Sequence, residues 1–126
     1  MGLRDDFSKF IFSVRNAIAG IVHAFLAERH MQIHFVAATL VVLSAFLLSV
    51  SKLEWVVLII AIGMTISLEL VNTAIERVVD LVSERFHPLA KQAKDCAAGA
   101  VLVSAIASVI IGCIIFIPHL LELFGK

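Results

Sequence analysis

Apolar residues in the first quarter of the chain recur at steps of three and four: Phe7, Phe10, Ile11, Val14, Ile18, Ile21, Val22 and Phe25. The spacing predicts a helix with one apolar face, over about residues 5–30. Lys9, Ser13, Asn16, Gly20, His23 and Ala27 line the other side. That division suits a helix lying in the plane of a membrane interface. Packing on the protein's own bundle is the alternative use of the same face. Farther on, the pattern changes to continuous apolar runs. Residues 35–50 carry no charge, and with their flanks they reach the roughly 20 residues that a bilayer crossing needs. Residues 99–117 form another uncharged run, ending at Pro118. The run between them, residues 55–68, makes only about 21 Å of helix, short of a hydrocarbon core of about 30 Å. To cross, it must continue through Glu69 and Asn72 to Ile75. An ionisable group then lies below the membrane surface, which is costly unless it faces protein or water. The pattern predicts an all-α membrane protein with one domain over residues 1–126. An interfacial amphipathic helix precedes three transmembrane helices, at about 33–51, 54–82 and 89–118.

Composition agrees with the runs. The chain has 126 residues, 61% hydrophobic and 16% charged, with a mean hydropathy of +1.06. Soluble domains average roughly 45–50% apolar and about 25% charged. A soluble fold this small has too much exterior to hide the excess. Ten basic and ten acidic residues cancel, so no cationic field points to nucleic acid. Arg4, Lys9, Arg15 and Arg29 precede the first run, and Arg77, Arg85, Lys91 and Lys94 lie between the second and third. Lys52 stands alone in the first loop and Lys126 alone at the end. This bias places the N-terminus and second loop in the cytoplasm and the C-terminus outside. Cys96 and Cys113 would lie about 25 Å apart on one helix, too far to bridge.

The middle segment holds the candidate chemistry. With Glu69 at zero and a turn of 100° per residue, Asn72, Thr73, Glu76 and Asp80 fall within an arc of about 100°. Three acids on one face repel each other and require something cationic nearby. A divalent metal, the neighbouring Lys and Arg, or shared protons would each serve. Lys91, Lys94 and Asp95 follow at the start of the last helix, and a lysine beside an acidic stripe suits phosphate. Glu28 closes the first helix beside Arg29. Carboxylates from two helices could hold Mg²⁺, which accepts one or two carboxylates together with substrate phosphates. Cys96, Ala100, Ser104, Ser108 and Gly112 recur every four residues, a small-residue stripe for close helix packing in lipid. His30 and His34 are four apart, but no HExxH pattern or third ligand accompanies them. A P-loop pattern is absent. On these residues alone a kinase and a small proton- or ion-coupled transporter both account for a sunken Glu69. A non-enzymatic scaffold leaves the acidic arc unexplained.

The run from Glu69 through Asn72, Thr73, Ala74, Ile75 and Glu76 to Asp80, with Lys91, Lys94 and Asp95 beyond it, closely resembles the prokaryotic diacylglycerol kinase family. The segment from Glu28 to His34 resembles the family's Gram-positive branch, the undecaprenol kinases. That resemblance implies a homotrimer of three-span protomers in the bacterial cell membrane, with active sites between subunits at the cytoplasmic surface. It implies ATP as phosphoryl donor, Mg²⁺ as cofactor and a lipid alcohol as acceptor, undecaprenol first and diacylglycerol as alternative. Carried over by position, Glu69 matches the catalytic base, supported by Asn72 and Asp80, and Glu28 and Glu76 match the metal ligands. The nucleotide set comprises Lys9, Asn16, Glu28, Glu76, Arg85, Phe86, His87, Lys94 and Asp95. Glu69, Phe25 and Trp55 are expected to bind the lipid. His30 replaces the branch's usual Asn. Asn16 and Ala17 replace the tyrosine and serine of the Gram-negative branch's nucleotide contacts.

Overall fold

The computed structural model describes residues 3–83 and 85–125. Four helices follow in order: α1 Leu3–Ala27, α2 Arg29–Leu47, α3 Lys52–Val82 and α4 Pro88–Phe124. All four are long and apolar enough to cross a membrane. Most of their large apolar side chains face outward, as they do when the surrounding solvent is lipid.

Helix α1 packs on its neighbours only near its end, where Ala24 is buried. The chain breaks at Glu28, whose backbone is extended (φ −110°, ψ 118°). The pattern had predicted helix to about residue 30 and again from 33, because the polar run Glu28-Arg29-His30 reads as one helix end. The break is instead a single residue, bridged by local bonds. Gln32 Nε2 donates to the Phe25 carbonyl at 3.1 Å, and Phe25 meets Phe35 edge to face at 5.2 Å. Met31 fills the corner and is fully buried.

Helix α2 stops at Leu47, earlier than the expected residue 51. Ser49 takes a left-handed conformation (φ 51°). Its N–H donates to the Phe46 carbonyl and that of Val50 to Ala45. This pair of reversed bonds satisfies the last carbonyls of a helix. The next helix begins at once. Ser51 Oγ accepts from the Glu54 N–H at 3.3 Å, and Glu54 Oε2 accepts from the Ser51 N–H at 2.7 Å, a capping box.

The main interface lies between α3 and α4. On α3 the buried positions Leu58, Ala61, Thr65, Glu69, Asn72 and Thr73 follow helical spacing, and they change from apolar to polar along the helix. The apolar half joins a core of Ala45, Val50, Leu58 and Ile115, flanked by Trp55 and Phe116. At mid-helix Thr65 Oγ1 lies 2.9 Å from Ser104 Oγ and 3.0 Å from Ser108 Oγ. Two members of the small-residue stripe are thus turned toward α3, whereas Cys96 is exposed. The expected end of α4 near Pro118 is corrected, since the helix runs on to Phe124. Proline removes one helical N–H, but a helix in lipid tolerates the loss where its neighbours hold it. His119 Nε2, one residue on, bonds both Glu54 carboxylate oxygens at 3.2 and 3.3 Å.

A candidate active site at the polar end of the bundle

The polar half of α3 places its acids at the end of the bundle opposite the apolar core. Glu69 is 4% exposed, the only buried charged side chain among the described residues. Across from it on α2, His34 Nε2 lies 3.9 Å from Glu69 Oε2. One turn on, Asn72 is buried, and its Nδ2 donates to Glu76 Oε1 at 3.2 Å. The other side of that amide, Oδ1, is buried with no hydrogen-bond partner. Arg77 follows Glu76 on α3. Its guanidinium donates to Glu28 Oε1 at 3.1 Å and to His23 Nε2 at 2.5 Å. Glu28 and Glu76 are thus each already held by a partner.

A second set lies farther along. Lys94 Nζ donates to Asp80 Oδ1, and Lys91 Nζ to Asp95 Oδ2, both at 2.5 Å. Asp80, Arg85, Phe86, His87, Lys91, Lys94 and Asp95 line one cavity of about 430 Å³ at the α3–α4 connection. His87 also caps α4, its Nδ1 accepting from the Leu89 N–H at 3.2 Å, with Pro88 at the first helical position.

The expected residues thus fall into separate groups. Glu69 and Asn72 share the buried face of α3, and Asp80, Arg85, Phe86, His87, Lys94 and Asp95 share the cavity. Within one chain Glu69 and Asp80 remain about 16 Å apart along the helix. Lys9 and Asn16 are exposed on α1, about 27 and 17 Å along its axis from the end at Ala27. Phe25 packs at the α1–α2 corner on Phe35, the residue after His34. Trp55 stacks on Phe46 at 4.7 Å within the apolar end, about 21 Å along α3 from Glu69. The sequence reading assigned no site partner to His34 or His23 and counted Arg77 only among the neighbouring cations. His34 was marked only by its i,i+4 spacing from His30 and by closing the Glu28–His34 segment, and neither signal tied it to Glu69.

Among the described residues no three His, Cys, Asp or Glu side chains cluster as a ready metal site. The oxygen donors that are present nonetheless suit a hard cation. Asn72 Oδ1 lacks a partner, its amide Nδ2 bonds the carboxylate of Glu76, and Glu28 is held separately by Arg77. An all-oxygen set of this kind matches Mg²⁺.

The family model for prokaryotic diacylglycerol kinase matches residues 15–116. The chain belongs to that family. An undecaprenol kinase from Bacillus subtilis (strain 168) is 47% identical over 117 residues, covering 93% of this chain and 95% of that protein. A diacylglycerol kinase from Synechocystis is 46% identical over 90% of this chain and 65% of its own length. The diacylglycerol kinase of Escherichia coli (strain K12) is 33% identical over 90% of this chain and 93% of its own. As a prokaryotic diacylglycerol kinase family member the chain is a lipid kinase of the bacterial membrane, and ATP as donor follows from that chemistry. The acidic stripe is therefore part of an enzyme, and the transporter reading falls away.

Proposed function

We propose that this lipid kinase transfers the γ-phosphate of ATP to undecaprenol at the cytoplasmic face of the membrane. The observation that carries the reading is Glu69, a carboxylate buried in a helix able to span a bilayer. Nothing in packing rewards an acid there, whereas an alcohol arriving from the lipid needs a base at that depth. The 47% identity to an undecaprenol kinase supports the choice of acceptor. In this reading the isoprenoid chain lies along α3 and extends from Glu69 toward Trp55, about 21 Å away. Diacylglycerol is the second reading, favoured by the 46% identity to the Synechocystis enzyme.

In this reading Glu69 takes the proton of the lipid hydroxyl as its oxygen attacks the γ-phosphorus. Asn72 holds Glu76 in place, and Glu28 and Glu76 are the residues that would hold Mg²⁺. When bound, the ion neutralises charge on the transferring phosphates. Arg77 has to release Glu28 for this, and His23 keeps the guanidinium nearby. Lys94 supplies a point charge to the phosphates. Asp80 and Asp95 orient the two lysines. Arg85, Phe86 and His87 form the nucleotide wall of the cavity. Lys9 and Asn16 are exposed on α1 and are not among the residues that line the cavity, which accords with a homotrimer whose sites draw α1 from a neighbour. Helix α1 then lies at the interface, with Phe25 bordering the lipid path and three helices spanning. The basic residues at the polar end put the N-terminus in the cytoplasm and the C-terminus outside.

The test is direct. Purified protein in micelles is given Mg²⁺, γ-labelled ATP and either undecaprenol or diacylglycerol. Label is expected on undecaprenol, and Glu69→Gln is expected to lower the rate by about 100-fold or more. Absence of transfer to any lipid alcohol by folded wild-type protein overturns the reading.

A further inference from the structure

Among the described residues one ion pair reaches the proposed base from another helix. Asn72 directs its amide N–H at Glu76, not at Glu69, and no hydrogen bond holds the Glu69 carboxylate among the described residues. Only the His34 imidazole faces it, Nε2 to Oε2 at 3.9 Å. His34 is itself well fixed. It lies one turn after the fully buried Met31 and next to Phe35, which Phe25 pins edge-on. It also stands at the polar end of an apolar groove of about 240 Å³ between α2, α3 and α4. The α4 residues on that groove, Ala105, Ser108, Val109, Gly112 and Phe116, carry no charge.

We propose that His34 is a positioning residue for Glu69, an inference that rests on Glu69 being the base. The Nε2–H of His34 donates to Oε2 and fixes that oxygen, leaving Oε1 turned to the acceptor. The gap of 3.9 Å exceeds a hydrogen bond, but catalytic hydrogen bonds are often long in empty sites and tighten when substrate binds. During transfer the lipid oxygen uses a lone pair to bond the γ-phosphorus, and its proton passes to Glu69 Oε1. The bond from the γ-phosphorus to the ADP oxygen breaks, with its electron pair leaving on ADP. His34 keeps its proton throughout. Its role is to hold a flexible three-torsion carboxylate in the one orientation that serves the acceptor.

The experiment compares wild type, His34→Ala, His34→Gln, Glu69→Gln and the double variant His34→Ala/Glu69→Gln, with γ-labelled ATP and undecaprenol in micelles. His34→Ala is expected to lose about 10- to 100-fold in kcat, the cost of a misplaced catalytic group. KM for ATP and for lipid should stay within about twofold of wild type, because binding is unaffected. His34→Gln retains a donor and should recover most of the rate. In the Glu69→Gln background, removing His34 should cost nothing further, whereas a merely structural role costs the same factor in both backgrounds. Equal losses in the two backgrounds, a change confined to KM, or a fully active His34→Ala overturns the proposal. A wild-type protein inactive on every lipid alcohol overturns the kinase reading itself, so the two failures are distinguishable.

Discussion

The side-chain amide of Asn72 is satisfied on one side only, with Nδ2 on Glu76 and Oδ1 buried without a partner. A buried acceptor left unpaired costs about 1–3 kcal/mol, and such a cost persists where a ligand supplies the missing partner. The position should therefore trade stability for function. Asn72→Leu keeps the volume and removes the orphan, at the loss of one bond to the half-buried Glu76. Its melting free energy in micelles is expected within about 1 kcal/mol of wild type, while phosphate transfer falls by about 100-fold. A loss of stability as large as the loss of activity implies would assign Asn72 to packing instead. Asn72 was legible in the sequence because three-and-four spacing is a property of one helix. The unpaired oxygen was not, because it depends on which way neighbouring side chains turn. The same holds for His34, whose approach to Glu69 exists only once α2 lies against α3.

Among the elements, α3 and α4 carry the fold, and their mid-membrane contact is the hydroxyl group of Thr65 set between Ser104 and Ser108. Polar contacts between membrane helices are worth about 0.6 kcal/mol on average, up to about 1.7. Thr65→Val keeps the shape and removes both. It is expected to lower stability by about 1 kcal/mol, read from denaturation in mixed micelles, with kcat unchanged. A fall in kcat without loss of stability would instead tie Thr65 to the site, one turn from Glu69 on the same buried face. The sequence pattern identified Ser104 and Ser108 as a packing stripe but not their partner, since a lone threonine in an apolar run carries no periodic signal. It also misjudged where α2 and α4 stop. Charge and proline were read as ends, whereas the real stops are Ser49, turned left-handed, and Phe124, reached because His119 anchors the helix to Glu54 beyond Pro118.

At the scale of the molecule, the bundle has an apolar end around Ala45, Val50, Leu58 and Ile115 and a polar end around Glu69 and Lys94. The neutral overall charge conceals this, because nine of the twenty charges lie between Glu69 and Asp95. Concentration at one end explains the chemistry but exposes a geometric difficulty. The base and the lysine that steadies the phosphates must meet around a single γ-phosphorus. Within one chain, Lys94 is bonded to Asp80, about 16 Å along α3 from Glu69. Along a straight helix that distance stays open, so in the proposed function the two residues come from different copies of the chain. The proposed trimer supplies them, and subunit mixing tests it. Glu69→Gln and Lys94→Ala proteins are each expected to be nearly inactive alone. Unfolded together and reassembled in equal amounts, random cyclic trimers place an intact Glu69 beside an intact Lys94 at about a quarter of the interfaces. Activity should return to about that fraction of wild type, measured by label transferred to undecaprenol. If mixing restores nothing while both variants assemble normally, each site is built within one chain, and the polar end must close by bending α3.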